Sequence, residues 1–267
     1  MGEIRAAVED GVLVLRLCNG GANALTPDMA ARLTEILADV PSQAGAVLVA
    51  GTRGGAFCAG SDIRELARLQ DTPDGPASML RTESAALRTL ASLPLPTIAA
   101  VDGVAFGGGM ELAAACDIVI AGENARFCLP EIRLGVFPGL GGTVWIPRRI
   151  GYSRALEMML TGQEIDAGTA HRWNFVNRLA ASGSSAEDEA LGLARALATG
   201  PREAVAMIRQ SLRDALDLDE AAALDSALDR AIALGRSPES REGLRAFLVR
   251  EAPDYAAARA RTTGRIA

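Results

Sequence analysis

"AVDGVAFGGGMELAAACD", Ala100 to Asp117, is the stretch on which the fold turns. The run that leads into it, "TIAAVDG", has the length and apolar content of a buried strand. Gly107, Gly108 and Gly109 then permit a tight turn and present bare backbone N–H groups. From Met110 to Cys116 the chain is apolar almost all round, which predicts a buried helix. "CDIVIAG" follows as the next strand. Glu111 falls in the first turn of the helix, where unpaired amides and the helix dipole favour negative charge. A buried carboxylate is costly unless something pairs or uses it, and Glu111 is therefore a candidate functional residue.

The same alternation extends outward in both directions. "IRAAVED" and "VLVLRL" read as two strands around the hairpin turn Asp10-Gly11. Thr26 and Pro27 form the N-cap and first position of a helix over "TPDMAARLTEILADV". "AGAVLVAG" is a buried strand, "SDIRELARL" is helical, and "MLRTESAALRTLASL" is a longer helix stopped by Pro94 and Pro96. Strand and helix alternate to about residue 180, the pattern of an α/β layered fold. From Pro201 onward only helical spacing remains, so residues 1–200 are expected to form the α/β core and 201–267 a helical region. The apolar faces of those last helices require a partner surface, on the core or on another subunit.

Composition removes several chemistries. The 267-residue chain has 49% hydrophobic and 22% charged residues, the balance of a soluble globular protein. No apolar run reaches membrane-spanning length, and Met1–Glu9 has no secretory core, which together predict a cytoplasmic protein without membrane attachment. All 27 basic residues are arginine, so Schiff-base, phosphate-loop and general-base lysines are excluded. The net charge of −6 argues against a nucleic-acid surface. Cys18, Cys58, Cys116 and Cys128 form no C-x-x-C pair and read as reduced thiols rather than a metal site. His171, the one histidine, lies in "DAGTAHRWNF" away from any serine or cysteine elbow and reads as a structural or surface residue.

The glycine loop is not a phosphate cradle, since the third glycine of G-x-G-x-x-G would fall on Leu112. Its partner is a second acid twenty residues on. Glu131 stands in "ARFCLPEIRLGVFPGLGGT", inside another glycine-rich stretch. Two carboxylates in apolar, glycine-rich surroundings suit paired acid/base work. A third segment, "GGAFCAGSDIREL", brings small residues to the start of a helix at Ser61. If its amides met those of "FGGG", two donors would converge as in an oxyanion hole.

With these motifs in order, the chain resembles the enoyl-CoA hydratase/isomerase (crotonase) superfamily over nearly its full length. "AFCAGSDIREL", "GVAFGGGMELAAACDIVIA" and "FCLPEIRLGVFPGLGGT" carry the resemblance, and "MLTGQEIDAGTAHRWNFVNRL" and "REGLRAFLVRE" continue it. The resemblance implies a spiral of repeated ββα units whose C-terminal helices build a homotrimer, or a homohexamer as a dimer of trimers. It implies an acyl-CoA thioester substrate, no separate cofactor because CoA is part of that substrate, and no metal.

By position the resemblance makes Ser61 and Gly108 the oxyanion-hole donors and Glu111 and Glu131 the acid/base pair of a hydratase. Isomerases of the family typically lack the first glutamate. It places Ala22, Ala59, Asp62, Ile63, Arg64 and Gly139 along the substrate, and Phe247 and Arg250 at a neighbouring subunit's CoA. Gly20 stands where a CoA-binding lysine is common, and "HRWNF" replaces a small, glycine-containing sequence. The alternatives are a different reaction on the same scaffold, isomerisation or biosynthetic dehydration, a non-catalytic acyl-CoA-binding protein, or an RNA-binding relative. The intact acid pair and the absence of a lysine-rich helix argue against the last two.

Overall fold

The computed structural model describes residues 2–263. The last four residues of the expected helical region lie outside the described residues. Strands β1 (Glu3–Glu9) and β2 (Val12–Cys18) form the expected antiparallel hairpin. Asp10 and Gly11 both have positive φ, the geometry of a two-residue hairpin turn. Helix α1 (Pro27–Ala38) is capped by the Thr26 side chain, which accepts from Met29 N.

Three turns of a spiral follow. Each places a strand in a main sheet, a second short strand or bridge beside it, and then helical structure. The first turn contains β3 (Ala46–Ala50), a bridge from Cys58 to Ala105, and helices α2 (Ile63–Leu69) and α3 (Gly75–Ser92). The second contains β4 (Thr97–Val101), β5 (Val104–Phe106) and α4 (Gly108–Ala115). The third contains β6 (Ile118–Ala121), β7 (Arg126–Cys128), a 3-10 turn at Glu131–Leu134, and α5 (Gly142–Ile150). Then come α6 (Tyr152–Thr161), β8 (Ile165–Asp166), α7 (Ala167–Arg172), β9 (Arg178–Leu179) and α8 (Ala186–Ala198). The chain ends in α9 (Arg202–Asp217), α10 (Glu220–Leu234), α11 (Pro238–Val249) and α12 (Tyr255–Thr263).

The main sheet runs β1-β2-β3-β4-β6-β9, parallel from β2 onward, and β5-β7-β8 form the second sheet. Both faces of the main sheet are covered, which is why β3 and β4 read as continuous apolar runs rather than alternating ones. Leu13, Leu15, Val47, Val49, Ala99 and Val119 face the larger core, built with α1, α3 and α4. Val12, Val14, Ala46, Leu48, Ile98 and Ile120 face α8 through Ala186, Ala190 and Ala194. Small alanines let α8 lie close over the strands, and α4, apolar all round, is buried at all eight positions. No helix among the described residues is long and apolar enough to cross a membrane.

Candidate active site

The site is built where the first and second turns of the spiral touch. Gly107 has φ of +49°, a conformation that a side chain would strain, and it turns the chain from β5 into α4. A Cβ on Gly109 would collide with the carbonyl oxygen of Cys58, so only glycine lets the two segments approach this closely. Ser61 arrives on the facing segment. Its N lies 3.4 Å, and its Oγ 3.3 Å, from where a Cβ on Gly108 would stand. The N–H groups of Ser61 and Gly108 have no acceptor among the described residues. The cap of α2 is Asp62, whose carboxylate accepts from Arg64 N and Glu65 N. Ser61 therefore precedes the helix start on which its amide was expected, and is held instead by a bridge to Leu25.

Glu111, 1% exposed, projects from the first turn of α4. Its Oε1 accepts from Leu140 N at 2.8 Å and Gly142 N at 2.7 Å. The glycine-rich "GLGGT" thus supplies amides to a carboxylate at the start of α5. A Cβ on Gly142 would stand 2.9 Å from that oxygen. Burial pushes the Glu111 carboxyl up to about 7, the two amides oppose the shift, and the charges of Glu131 and Glu83 reinforce it. Glu131 opens the 3-10 turn after Pro130. Its Oε1 lies 3.0 Å from where a Cβ on Gly107 would be, its Oε2 is buried without a partner among the described residues, and burial raises its pKa as well.

A third carboxylate was not expected from the sequence. Glu83, on α3, is fully buried, and its Oε2 accepts from Ser61 Oγ at 2.6 Å. Burial pushes it up to about 7 against that hydrogen bond, with the charge of Asp62 adding to the rise. The available signal was an acid within the apolar stripe Met79, Ala86, Leu87 and Leu90.

The structure brings Ser61, Gly108, Glu111 and Glu131 together, as expected. Ala59 N donates to Ala22 O, tying the Ser61 segment to the strand-to-helix connection before α1. Gly139 is exposed beside Leu140. Ile63 and Arg64 are exposed at the start of α2, and among the described residues no hydrogen bond or ion pair engages the Arg64 guanidinium. Phe247, 80% exposed, and Arg250 stand at the end of α11, which packs on α12, and neither is bonded to the carboxylate cluster. His171 is exposed with Nδ1 on Val176 O, in keeping with a structural role. Asn174 takes the positive φ that a glycine would ordinarily fill, and Trp173 packs on the core under Arg154. All four cysteines are free, and no cluster among the described residues has the make-up of a metal site.

The model of the enoyl-CoA hydratase/isomerase family matches residues 7–258. A 1,2-epoxyphenylacetyl-CoA isomerase of Escherichia coli (strain K12) is 37% identical, over 94% of this chain and 97% of its own. A probable enoyl-CoA hydratase of Bacillus subtilis (strain 168) is 35% identical, over 96% and 99%. The crystal structure of an enoyl-CoA hydratase from Polaromonas sp. JS666 superposes with a TM-score of 0.89 at 31% identity, covering 94% and 99%. With its fold, its motifs and its length matched together, the chain belongs to the enoyl-CoA hydratase/isomerase family.

Proposed function

We infer that the protein is an enoyl-CoA hydratase, adding water reversibly to a 2-enoyl-CoA thioester to give a 3-hydroxyacyl-CoA. The observation that carries this reading is the pair Glu111 and Glu131, both drawn up by burial, beside two free N–H groups on Ser61 and Gly108. Those N–H groups receive the thioester oxygen, on which negative charge collects as water attacks C3. One such preorganised donor is worth on the order of 10²–10³ in rate. With Oε1 held by two amides, Glu111 is fixed in orientation and its Oε2 takes the proton of the attacking water. Glu131 supplies the proton to C2. Two coupled buried carboxyls hold one proton between them more readily than none, which is the state this step requires. No metal or separate cofactor enters these steps.

The family spans hydratases and isomerases, and the second reading is double-bond isomerisation, in which Glu131 alone moves a proton between carbons. Loss of the conjugated-enoyl absorbance of crotonyl-CoA reports turnover by either reaction, and the mass of the product separates the two. A gain of one water supports hydration, and an unchanged mass with a shifted double bond overturns it.

The assembly proposed with this activity is a trimer or a pair of trimers. Ile208, Leu212 and Leu216 on α9, and Leu224, Leu228 and Ile232 on α10, are all more than half exposed at helical spacing. That face needs a partner, and Phe247 and Arg250 then meet the CoA of the adjoining subunit. Light scattering that finds a stable monomer would remove both residues from the CoA site.

A further inference from the structure

Glu83 takes no part in the two-glutamate reaction, yet it is fully buried within the same cluster. The exposed arginines of its own helix, Arg81 and Arg88, lie outside the buried stripe and form no ion pair with it. Its Oε2 is satisfied by the Ser61 hydroxyl, but Oε1 is buried and has no hydrogen-bond partner among the described residues. A buried polar atom left unpaired is costly, and a ligand group that meets Oε1 would remove that cost.

The place of Glu83 narrows what that group is. The Ser61 hydroxyl stands between Glu83 and the backbone of Gly108. On the proposed hydratase reading, the thioester carbonyl is seated on the N–H groups of Ser61 and Gly108. The charge of Glu83 also acts on Glu111, which on that reading serves the water that attacks C3, so Glu83 lies towards the first few acyl carbons rather than the CoA end. We propose that Glu83, held by Ser61, is a specificity-determining residue that selects acyl-CoA thioesters carrying a hydroxyl group close to the thioester, in preference to all-hydrocarbon acyl groups.

A hydroxyl both donates and accepts, so it completes Oε1 whether the carboxyl is ionised or protonated. This matters because burial pushes the Glu83 carboxyl up to about 7, which brings both forms into play at neutral pH. An alkyl chain would leave Oε1 unpaired against it. Sites built to hydrogen-bond a substrate group discriminate strongly against an analogue that lacks it, because their own polar atom is then stranded.

The inference rests on the acyl-CoA reading but is tested separately from hydration. The first arm compares kcat/KM for crotonyl-CoA and 4-hydroxycrotonyl-CoA, which differ in a single oxygen. The wild-type protein is expected to favour the hydroxylated thioester by roughly 10–100-fold. Glu83→Leu should bring that ratio towards parity, while Glu83→Gln, which still donates and accepts, should keep most of it. A wild-type ratio near one overturns the inference without any variant, and so does an unchanged ratio in Glu83→Leu. The second arm measures calorimetric binding of butyryl-CoA and 4-hydroxybutyryl-CoA, neither of which can be hydrated. If neither enoyl thioester turns over, the hydratase reading fails. The binding preference for 4-hydroxybutyryl-CoA, or its absence, then supports or overturns the role of Glu83 alone.

Discussion

Buried glutamates occupy two kinds of place in this protein, and the contrast separates architecture from chemistry. Glu187, 4% exposed at the start of α8, meets Arg16 of β2 through two hydrogen bonds at 2.7 and 2.6 Å, and Arg53 joins them. Glu239, 1% exposed, accepts from Arg202 N, Glu203 N and Arg259, and Glu242 is clasped by Arg245. Hydrogen bonding to Arg16 holds the Glu187 carboxyl below its ordinary range, and bonding to Arg245 brings Glu242 to about 2. Glu83 and Glu111 are buried too and Glu131 is half-buried, but they meet only amides and a hydroxyl, and all three are pushed upward. In a chain with 27 arginines, a buried acid left without one is free to exchange protons.

Breaking the unpaired set should have the largest effect, and on rate rather than stability. Glu111→Gln and Glu131→Gln preserve shape but end proton transfer, so each should lower the kcat of hydration by roughly 10²–10⁴ with little change in KM. The double variant should lose far less than the product of the two, because both groups serve one step. Near-normal hydration by Glu111→Gln would sink the two-carboxylate mechanism.

The paired set should answer in the opposite way. Glu187→Gln leaves the part-buried Arg16 without its bidentate partner and loosens α8 from the sheet. The denaturant midpoint should fall by an amount equivalent to about 2 kcal/mol, with kcat unchanged. A large loss of turnover at unchanged stability would erase the distinction between the two groups.

The two sets should also oppose each other in pH. Glu83 and Glu111 have folded-state values of about 7 against an ordinary 4.5, so between these limits the native protein binds more protons than the unfolded chain. Their contribution to stability is therefore greatest in acid and is lost as pH rises through that window. Glu187 is shifted down, and its contribution is present above its ordinary value and lost as pH falls. Glu83→Gln should accordingly raise the thermal midpoint at pH 8, by the equivalent of about 1–2 kcal/mol, and have little effect near pH 4.5. Glu187→Gln should cost most at pH 8. Parallel pH profiles for the two variants would contradict the assigned shifts.

What the sequence shows of this arrangement follows the reach of each signal. The hairpin at Asp10-Gly11, the Thr26 cap and the glycine loop before α4 depend on neighbouring residues, and all are readable as local patterns. Glu111 is legible because a single acid interrupts an otherwise apolar helix. Glu83 is harder. It shares a buried stripe with Met79 and Leu87, but Glu239 and Glu242 are also buried on a helix. Arg245, one turn on, marks Glu242 as paired, but nothing local distinguishes Glu83 from Glu239. Whether an arginine arrives is decided by residues far away, such as Arg259 reaching back to Glu239. The cap of α2 shows the same limit at short range, since both Ser61 and Asp62 are good caps and only the bridge to Leu25 assigns the helix to Asp62.

Arg64 provides the smallest and most delicate test of the contrast, because it is an exposed charge whose guanidinium has no partner among the described residues. It stands at the second position of α2, two residues after the Asp62 cap, where a positive charge opposes the helix dipole. Removing it should therefore leave stability unchanged or slightly higher. If instead it serves the CoA phosphates, as the family resemblance implies, the contact lies far from the reacting carbons and contributes equally to ground and transition states. Such uniform binding appears in KM and not in kcat. An exposed charge contact is worth up to about 1 kcal/mol, so Arg64→Ala should raise KM by up to roughly fivefold at low salt, and less as salt screens the charge. A KM that is unaltered at every ionic strength would make Arg64 a solvated surface charge and move recognition of the phosphates elsewhere. A fall in kcat would place it, against expectation, among the residues that act on the transition state.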